Sequence, residues 1–184
     1  MLVILEGPDG SGKSTLAQEL AEYLGRTTSD KIEVWHAKRP ERHPLNEYLR
    51  PLRTYRPGTG HHLILDRWHW GEAVYPAVLD RETELDSPVW WAIEAYLRRL
   101  GALVVECDRY ATQEYVDLYR ERGLDGTPDS WQLTKLAHIR LEFRRTVYRS
   151  QLPSLTYYLG DNDKLEAIFA KARDLEEAYR ALNA

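Results

Sequence analysis

With a single cysteine, Cys107, the sequence can close no intrachain disulfide and assemble no cysteine metal cage. No apolar run reaches the roughly 20 residues that span a bilayer, and no basic stretch with a cleavage region precedes the apolar segment at Leu2. Together these absences predict a cytoplasmic protein. A basic excess is also missing. The formal net charge of −4 gives no overall field favouring a polyanion such as duplex DNA, so phosphate binding has to arise locally. The histidines, among them His61-His62, lack metal-ligand spacing. What remains is an ordinary globular balance of 43% hydrophobic and 29% charged residues over 184 positions, one domain's length, without repeats, low-complexity tracts or a linker.

Leu2 to Leu5 fits a buried parallel strand, stopped by the glycine-rich Gly7 to Gly12. Leu16, Ala17, Leu20, Ala21 and Leu24 then share one helical face, with Gly25 as the expected stop. Further strands are predicted at Ile32–Trp35, Leu63–Leu65, Ala102–Glu106 and Leu155–Leu159. Ser87-Pro88 opens a helix with Val89, Trp90, Ile93, Tyr96, Leu97 and Leu100 inward, closed by Gly101. The stretch from Thr112 to Arg149 is helical except at Gly123 to Pro128, and Asp163 with Glu166 forms a capping-box pattern before a last helix. The alternation predicts an α/β fold, a parallel five-stranded sheet with helices on both faces.

Gly7-Pro8-Asp9-Gly10-Ser11-Gly12-Lys13-Ser14 matches the phosphate-loop pattern in full and sits between a strand and a helix, as that pattern requires. Its glycines let successive N–H groups curl around a phosphate. The helix start adds partial positive charge, Lys13 neutralises the outer phosphates, and the Ser14 hydroxyl can ligate Mg²⁺. The predicted ATP contacts are Gly7, Asp9, Gly10, Ser11, Gly12, Lys13, Ser14 and Thr15. A P-loop NTPase fold with ATP and Mg²⁺ as cofactors follows.

Asp66-Arg67-Trp68 ends the third strand, where open parallel sheets place their ligand crevice. There Asp66 can hold Mg²⁺ or its water shell, and Arg67 can grip a second phosphate bidentately.

These two motifs together resemble thymidylate kinase and its bacteriophage relatives, which carry a similar loop and an Asp-Arg-aromatic or Asp-Arg-His triplet. The resemblance implies phosphorylation of a deoxynucleoside monophosphate, dTMP or a modified pyrimidine nucleotide. It also implies that Asp9 contacts the acceptor's 3′-hydroxyl or the metal, that Arg67 binds the acceptor phosphate, and that Asp66 helps organise Mg²⁺. The family's Arg-Glu-Pro-Gly run has its nearest counterpart in Lys38-Arg39-Pro40-Glu41, which makes Arg39 a substrate-binding candidate. The arginine-bearing lid maps to Arg120-Glu121-Arg122-Gly123, within a lid of about residues 119–131. Trp68-His69-Trp70-Gly71-Glu72 reads more like phage enzymes than cellular ones. A homodimer stays open.

Arg120 and Arg122 flank the glycine-rich break, from which they could swing over the transferring phosphoryl group; alternatively they are solvated helix arginines. Arg140 and Arg144, four residues apart, share a face and could reach phosphate together, whereas Arg145 and Arg149 read as a solvated basic face. Six tryptophans and twelve tyrosines offer platforms for a nucleobase. Trp35, Trp90 and Trp91 are expected to pack; Trp68 and Trp70 are the stacking candidates.

The expected reaction is in-line transfer of the ATP γ-phosphoryl group to an acceptor phosphate, with Lys13, Arg67 and the lid arginines in the catalytic roles. Two alternatives remain. A kinase for a hydroxyl acceptor, such as a deoxynucleoside or a hydroxymethylpyrimidine in DNA, needs a base after the second strand, where His36-Ala37-Lys38-Arg39 stands and Glu41 is a weak candidate. The other is a non-catalytic nucleotide switch, but the sequence lacks the Asn-Lys-x-Asp signature of guanine-reading proteins.

Overall fold

The computed structural model describes residues 1–37, 44–83, 85, 87–121, 130–161 and 163–183, with the backbone alone at 112, 119–120, 130–133 and 182–183. Its strands are β1 (Leu2–Glu6), β2 (Lys31–His36), β3 (His61–Asp66), β4 (Ala102–Asp108) and β5 (Ser154–Tyr158). Its helices are α1 (Lys13–Thr27), α2 (Pro44–Leu49), α3 (Gly71–Leu79), α4 (Ser87–Arg99), α5 (Thr112–Glu121), α6 (Ser130–Arg149) and α7 (Lys164–Asn183). The strands form one all-parallel sheet in the order β2-β3-β1-β4-β5. None of the described helices is long and apolar enough to cross a membrane.

Successive residues of a strand face opposite sides of a sheet, and the two cores divide accordingly. Leu2, Ile4, Leu63, Leu65, Ala102 and Val104 pack on one side with Ile93 and Leu97 of α4 and Phe143 of α6. Val3, Leu5, Ile64, Leu103 and Val105 pack on the other with Leu16 and Leu20 of α1 and Ile168 and Phe169 of α7. Burying a leucine such as Leu16 or Leu20 in full contributes about 1.5–3 kcal/mol. With β1 central and covered on both faces, the loop that follows it is anchored where both flanking strands also end.

The helix predicted to stop at Gly25 runs on to Thr27, and the Thr28 N–H caps it on the Leu24 carbonyl. Trp91, expected to pack, lies 44% exposed on the outer face of α4. Two helices carry no clear sequence signal. α2 is short, and α3 contains Pro76, which cannot donate to the Glu72 carbonyl one turn back. That carbonyl accepts the Thr83 hydroxyl at 2.9 Å instead, so the helix survives its proline.

Candidate active site

The phosphate loop leaves β1 at Glu6 and enters α1 at Lys13. Its curl needs a left-handed turn at Gly12, where φ is +90° and a Cβ would stand 2.6 Å from Leu159. Lys13 is buried and turned into the loop, donating from Nζ to the Gly7 carbonyl at 2.8 Å and the Pro8 carbonyl at 2.6 Å. Burial pushes its ammonium below the ordinary lysine value. Beneath the loop, burial pushes the Glu6 carboxyl up to about 7, even though it accepts the Trp70 N–H at 2.7 Å and feels the Lys13 charge. Ser14 and Thr15 lie exposed in the first turn of α1.

Asp66, at the end of β3, is buried and organises the floor of the site. Its Oδ2 accepts the Ser14 hydroxyl at 2.7 Å and lies 2.8 Å from His36 Nδ1 at the end of β2. Its Oδ1 is buried with no hydrogen-bond partner. The Ser14 hydroxyl and the Asp66 carboxylate, whose Oδ1 is unsatisfied, make an all-oxygen donor pair that suits Mg²⁺, an ion that keeps most of its shell as water and phosphate oxygens. No group of three or more His, Cys, Asp or Glu side chains able to hold a metal occurs among the described residues.

Arg67 follows with φ +68°, a left-handed backbone that a residue with a Cβ adopts at a cost. In that conformation its N–H donates to the Leu5 carbonyl at 2.9 Å, and its Nη2 pairs with Asp9 Oδ1 at 2.9 Å. Asp9 in turn donates its backbone N–H to the Tyr75 hydroxyl of α3 at 3.0 Å. Asp9, His36, Arg67, Trp68 and Tyr75 line a cavity of about 550 Å³, together with Glu72 and Arg81. Trp68 forms part of the wall, buried and edge-on to Tyr48 at 5.1 Å. Trp70 corrects the stacking expectation. Its ring is 0% exposed in the core and its Nε1 donates to Glu94 at 3.3 Å, so it offers no face to a base.

On the β4 side, Arg140 is already engaged. It donates from Nε to Asp108 Oδ1 at 2.9 Å and from Nη2 to Asp108 Oδ2 at 3.0 Å, and it does not line the cavity. Arg144 reaches the same carboxylate at 3.3 Å. Arg39 and Arg122 lie outside the described residues, and Arg120 has only its backbone described, near the end of α5. Three residues were absent from the predicted site. Tyr75 lies on the helix whose periodic signal Pro76 obscures, and His36 stands where a hydroxyl acceptor would call for a carboxylate base. Arg109 had a legible signal in the second Asp-Arg pair, Asp108-Arg109, ending a strand as Asp66-Arg67 does.

No protein-family model matches the sequence, and no curated protein matches it. Solved structures do. The Bacillus subtilis YorR protein, in complex with phosphorylated GDP, superposes with a TM-score of 0.71 at 21% identity, covering 97% of this chain and 98% of that one. Deoxyadenosine kinase from M. mycoides, with products dCMP and a flexible dCDP bound, gives 0.54 at 15%, covering 95% and 100%. Polyphosphate kinase 2 from Arthrobacter aurescens TC1 gives 0.58 at 16%, covering 98% and 68%. At such identities the likeness establishes the fold. With its all-parallel sheet and the phosphate loop after β1, the chain has the P-loop NTPase fold.

Proposed function

We propose that the protein is an ATP-dependent kinase of deoxynucleoside monophosphates, acting on dTMP or a modified pyrimidine nucleotide. The observation that carries this reading is the cavity beside the phosphate loop, because the loop's own Asp9 and the Arg67 paired with it both line the cavity. A nucleotide-binding switch has no use for a second, aromatic-walled chamber there. The structural neighbours support the reading with the nucleotides bound to them, phosphorylated GDP in one and dCMP and dCDP in another.

The chemistry follows from the groups present. An oxygen of the acceptor phosphate forms a bond to the γ-phosphorus of ATP while the bond from that phosphorus to the β,γ-bridging oxygen breaks, and ADP leaves. A phosphate nucleophile is already ionised near neutral pH and needs no base, so positioning and charge neutralisation supply the rate. Lys13 turns from the loop carbonyls to the outer phosphates. Arg67 moves from Asp9, a half-exposed pairing of small net value, to the acceptor phosphate, where two parallel hydrogen bonds are available. Asp9, so released, faces the acceptor sugar. Ser14 and Asp66 would hold Mg²⁺, which supplies further neutralisation of the phosphate oxygens when bound. The lid expected over residues 119–131, of which 122–129 lie outside the described residues, would supply Arg120 and Arg122 to the transferring group.

One observation favours a second reading. His36 lines the same cavity with Nδ1 held 2.8 Å from Asp66, the arrangement of an imidazole oriented to take a proton from a hydroxyl acceptor. ADP release measured across nucleoside monophosphates, nucleosides and hydroxymethylated oligonucleotides separates the two. Turnover confined to monophosphates supports the first reading, and turnover of a nucleoside or oligonucleotide alone replaces it with the second.

A further inference from the structure

Both strands beside β1 end in Asp-Arg, Asp66-Arg67 at β3 and Asp108-Arg109 at β4. The two arginines hold consecutive residues of the phosphate loop from opposite flanks. Arg67 Nη2 pairs with the Asp9 carboxylate at 2.9 Å, and Arg109 Nε donates to the Gly10 carbonyl at 2.7 Å. Only the first of these arginines lines the cavity.

Arg109 is the more firmly anchored. Its side chain is 15% exposed against 46% for Arg67, and its guanidinium lies 5.6 Å from the centre of the Tyr115 ring. Its N–H donates to Asp108 Oδ1 at 2.8 Å, and its carbonyl accepts Arg140 Nη2 at 2.7 Å. The buried Asp108 also accepts the Tyr115 hydroxyl of α5 at 2.9 Å and Arg140 of α6 at 2.9 Å. Arg109 therefore stands where α5 and α6 meet the loop. Gly10 permits this approach, since its φ is +82° and a Cβ there would come within 2.8 Å of Leu118 in α5.

A trans peptide points its C=O and N–H in opposite directions, and no cis bond occurs among the described residues. Drawing the Gly10 carbonyl out onto Arg109 turns the Ser11 N–H into the loop, where it donates to the Pro8 carbonyl at 3.2 Å. Lys13 Nζ bonds to that same carbonyl. An incoming phosphate oxygen competes for both donors.

We propose that Arg109 is a positioning residue for the donor triphosphate. It holds the Gly10–Ser11 peptide with its N–H toward the phosphates and ties that peptide to α5 and α6. The proposal rests on the ATP reading of the loop and is independent of which acceptor is used.

Calorimetric titration with the non-hydrolysable analogue AMP-PNP and Mg²⁺, together with KM values for ATP and acceptor, tests it on purified full-length protein. Arg109→Gln is expected to bind the analogue about tenfold more weakly, as loss of a hydrogen bond from a charged donor implies. Arg109→Lys, which keeps the charge, should bind between that variant and wild type, and the acceptor KM should stay within twofold in both. Arg145→Gln, an exposed charge control, should match wild type. Analogue binding by Arg109→Gln within twofold of wild type, or an equal loss on the acceptor side, overturns the proposal. If Arg109→Gln lacks a native circular-dichroism spectrum, Arg109→Lys decides, with binding within twofold again the contrary result. Wild-type protein that binds no analogue overturns the ATP reading and this proposal with it, whereas an acceptor panel without product alongside intact analogue binding overturns the proposed reaction alone.

Discussion

The Arg67 guanidinium and the Asp9 carboxylate meet at 2.9 Å on the wall of the cavity, joining the end of β3 to the middle of the phosphate loop. Arg67 reaches that position from a backbone with φ +68°. A strained residue between the phosphate loop and the cavity holds a conformation that stability alone does not favour.

That strain makes a prediction that separates stability from activity. Arg67→Ala keeps the left-handed backbone and loses the guanidinium, whereas Arg67→Gly loses both the strain and the guanidinium. Denaturant unfolding should find Arg67→Gly more stable than Arg67→Ala by about 1 kcal/mol. Both should raise the acceptor KM by at least tenfold. An acceptor KM near wild type in either variant would remove Arg67 from the phosphate-binding role.

Lys13→Ala should lower turnover by about a hundredfold or more while the fold persists, because in the proposed reaction the side chain serves the transferring phosphates, and its resting bonds are to loop carbonyls. Steady-state ADP release with a circular-dichroism control checks this. A variant with near-normal turnover contradicts it.

Glu6 connects the loop to pH. Its carboxyl is raised from 4.5 to about 7 in the folded protein, so between these values the native state binds more protons than the unfolded chain, and stability falls as pH rises through the window. The loss amounts to roughly 3 kcal/mol, complete above pH 7. Glu6→Gln retains an oxygen for the Trp70 N–H and removes the titration, so its melting temperature should vary less between pH 5 and pH 8 than that of wild type. Parallel profiles for the two proteins would refute this account of Glu6.

Glu94 is the hub of a buried network, accepting from His69 Nε2 at 3.2 Å, Trp70 Nε1 at 3.3 Å, the Ser150 hydroxyl at 2.7 Å and the Gln151 N–H at 2.7 Å. Its hydrogen bonds hold the Glu94 carboxyl below its ordinary value against the opposing effect of burial, and burial holds His69 below its own. The Glu94 shift stabilises the protein above the ordinary carboxylate value and that stability is lost as pH falls, while the buried His69, held neutral, costs stability as pH falls below the ordinary histidine value. Glu94→Ala should cost about 3 kcal/mol in urea unfolding, since it leaves buried donors without an acceptor. A cost below 1 kcal/mol would show that the network relaxes freely.

The strands and the phosphate loop were legible because their signals are local: a four-residue apolar run, glycines at fixed spacing, an Asp-Arg pair at a strand end. The hidden elements were those whose stability comes from elsewhere in the chain. α3 depends on Thr83 to satisfy the carbonyl that Pro76 abandons, and without α3 neither Tyr75 nor the cavity wall could be foreseen. Trp68 and Trp70 are two residues apart and both buried, yet one walls the cavity while the other bonds to Glu94 in the core. Sequence distance from the Asp-Arg pair could not divide them. Arg140 likewise shares a helical face with Arg144, but its partner is Asp108, which the pattern of α6 alone does not contain.

In the proposed reaction a phosphate, held by Arg67, accepts the γ-phosphoryl group of ATP. Phosphorus NMR of a reaction containing ATP, Mg²⁺ and an equimolar mixture of dTMP and thymidine tests it most directly. ADP together with dTDP is expected, with thymidine left unchanged. Phosphate appearing on the thymidine hydroxyl while dTMP persists would contradict it.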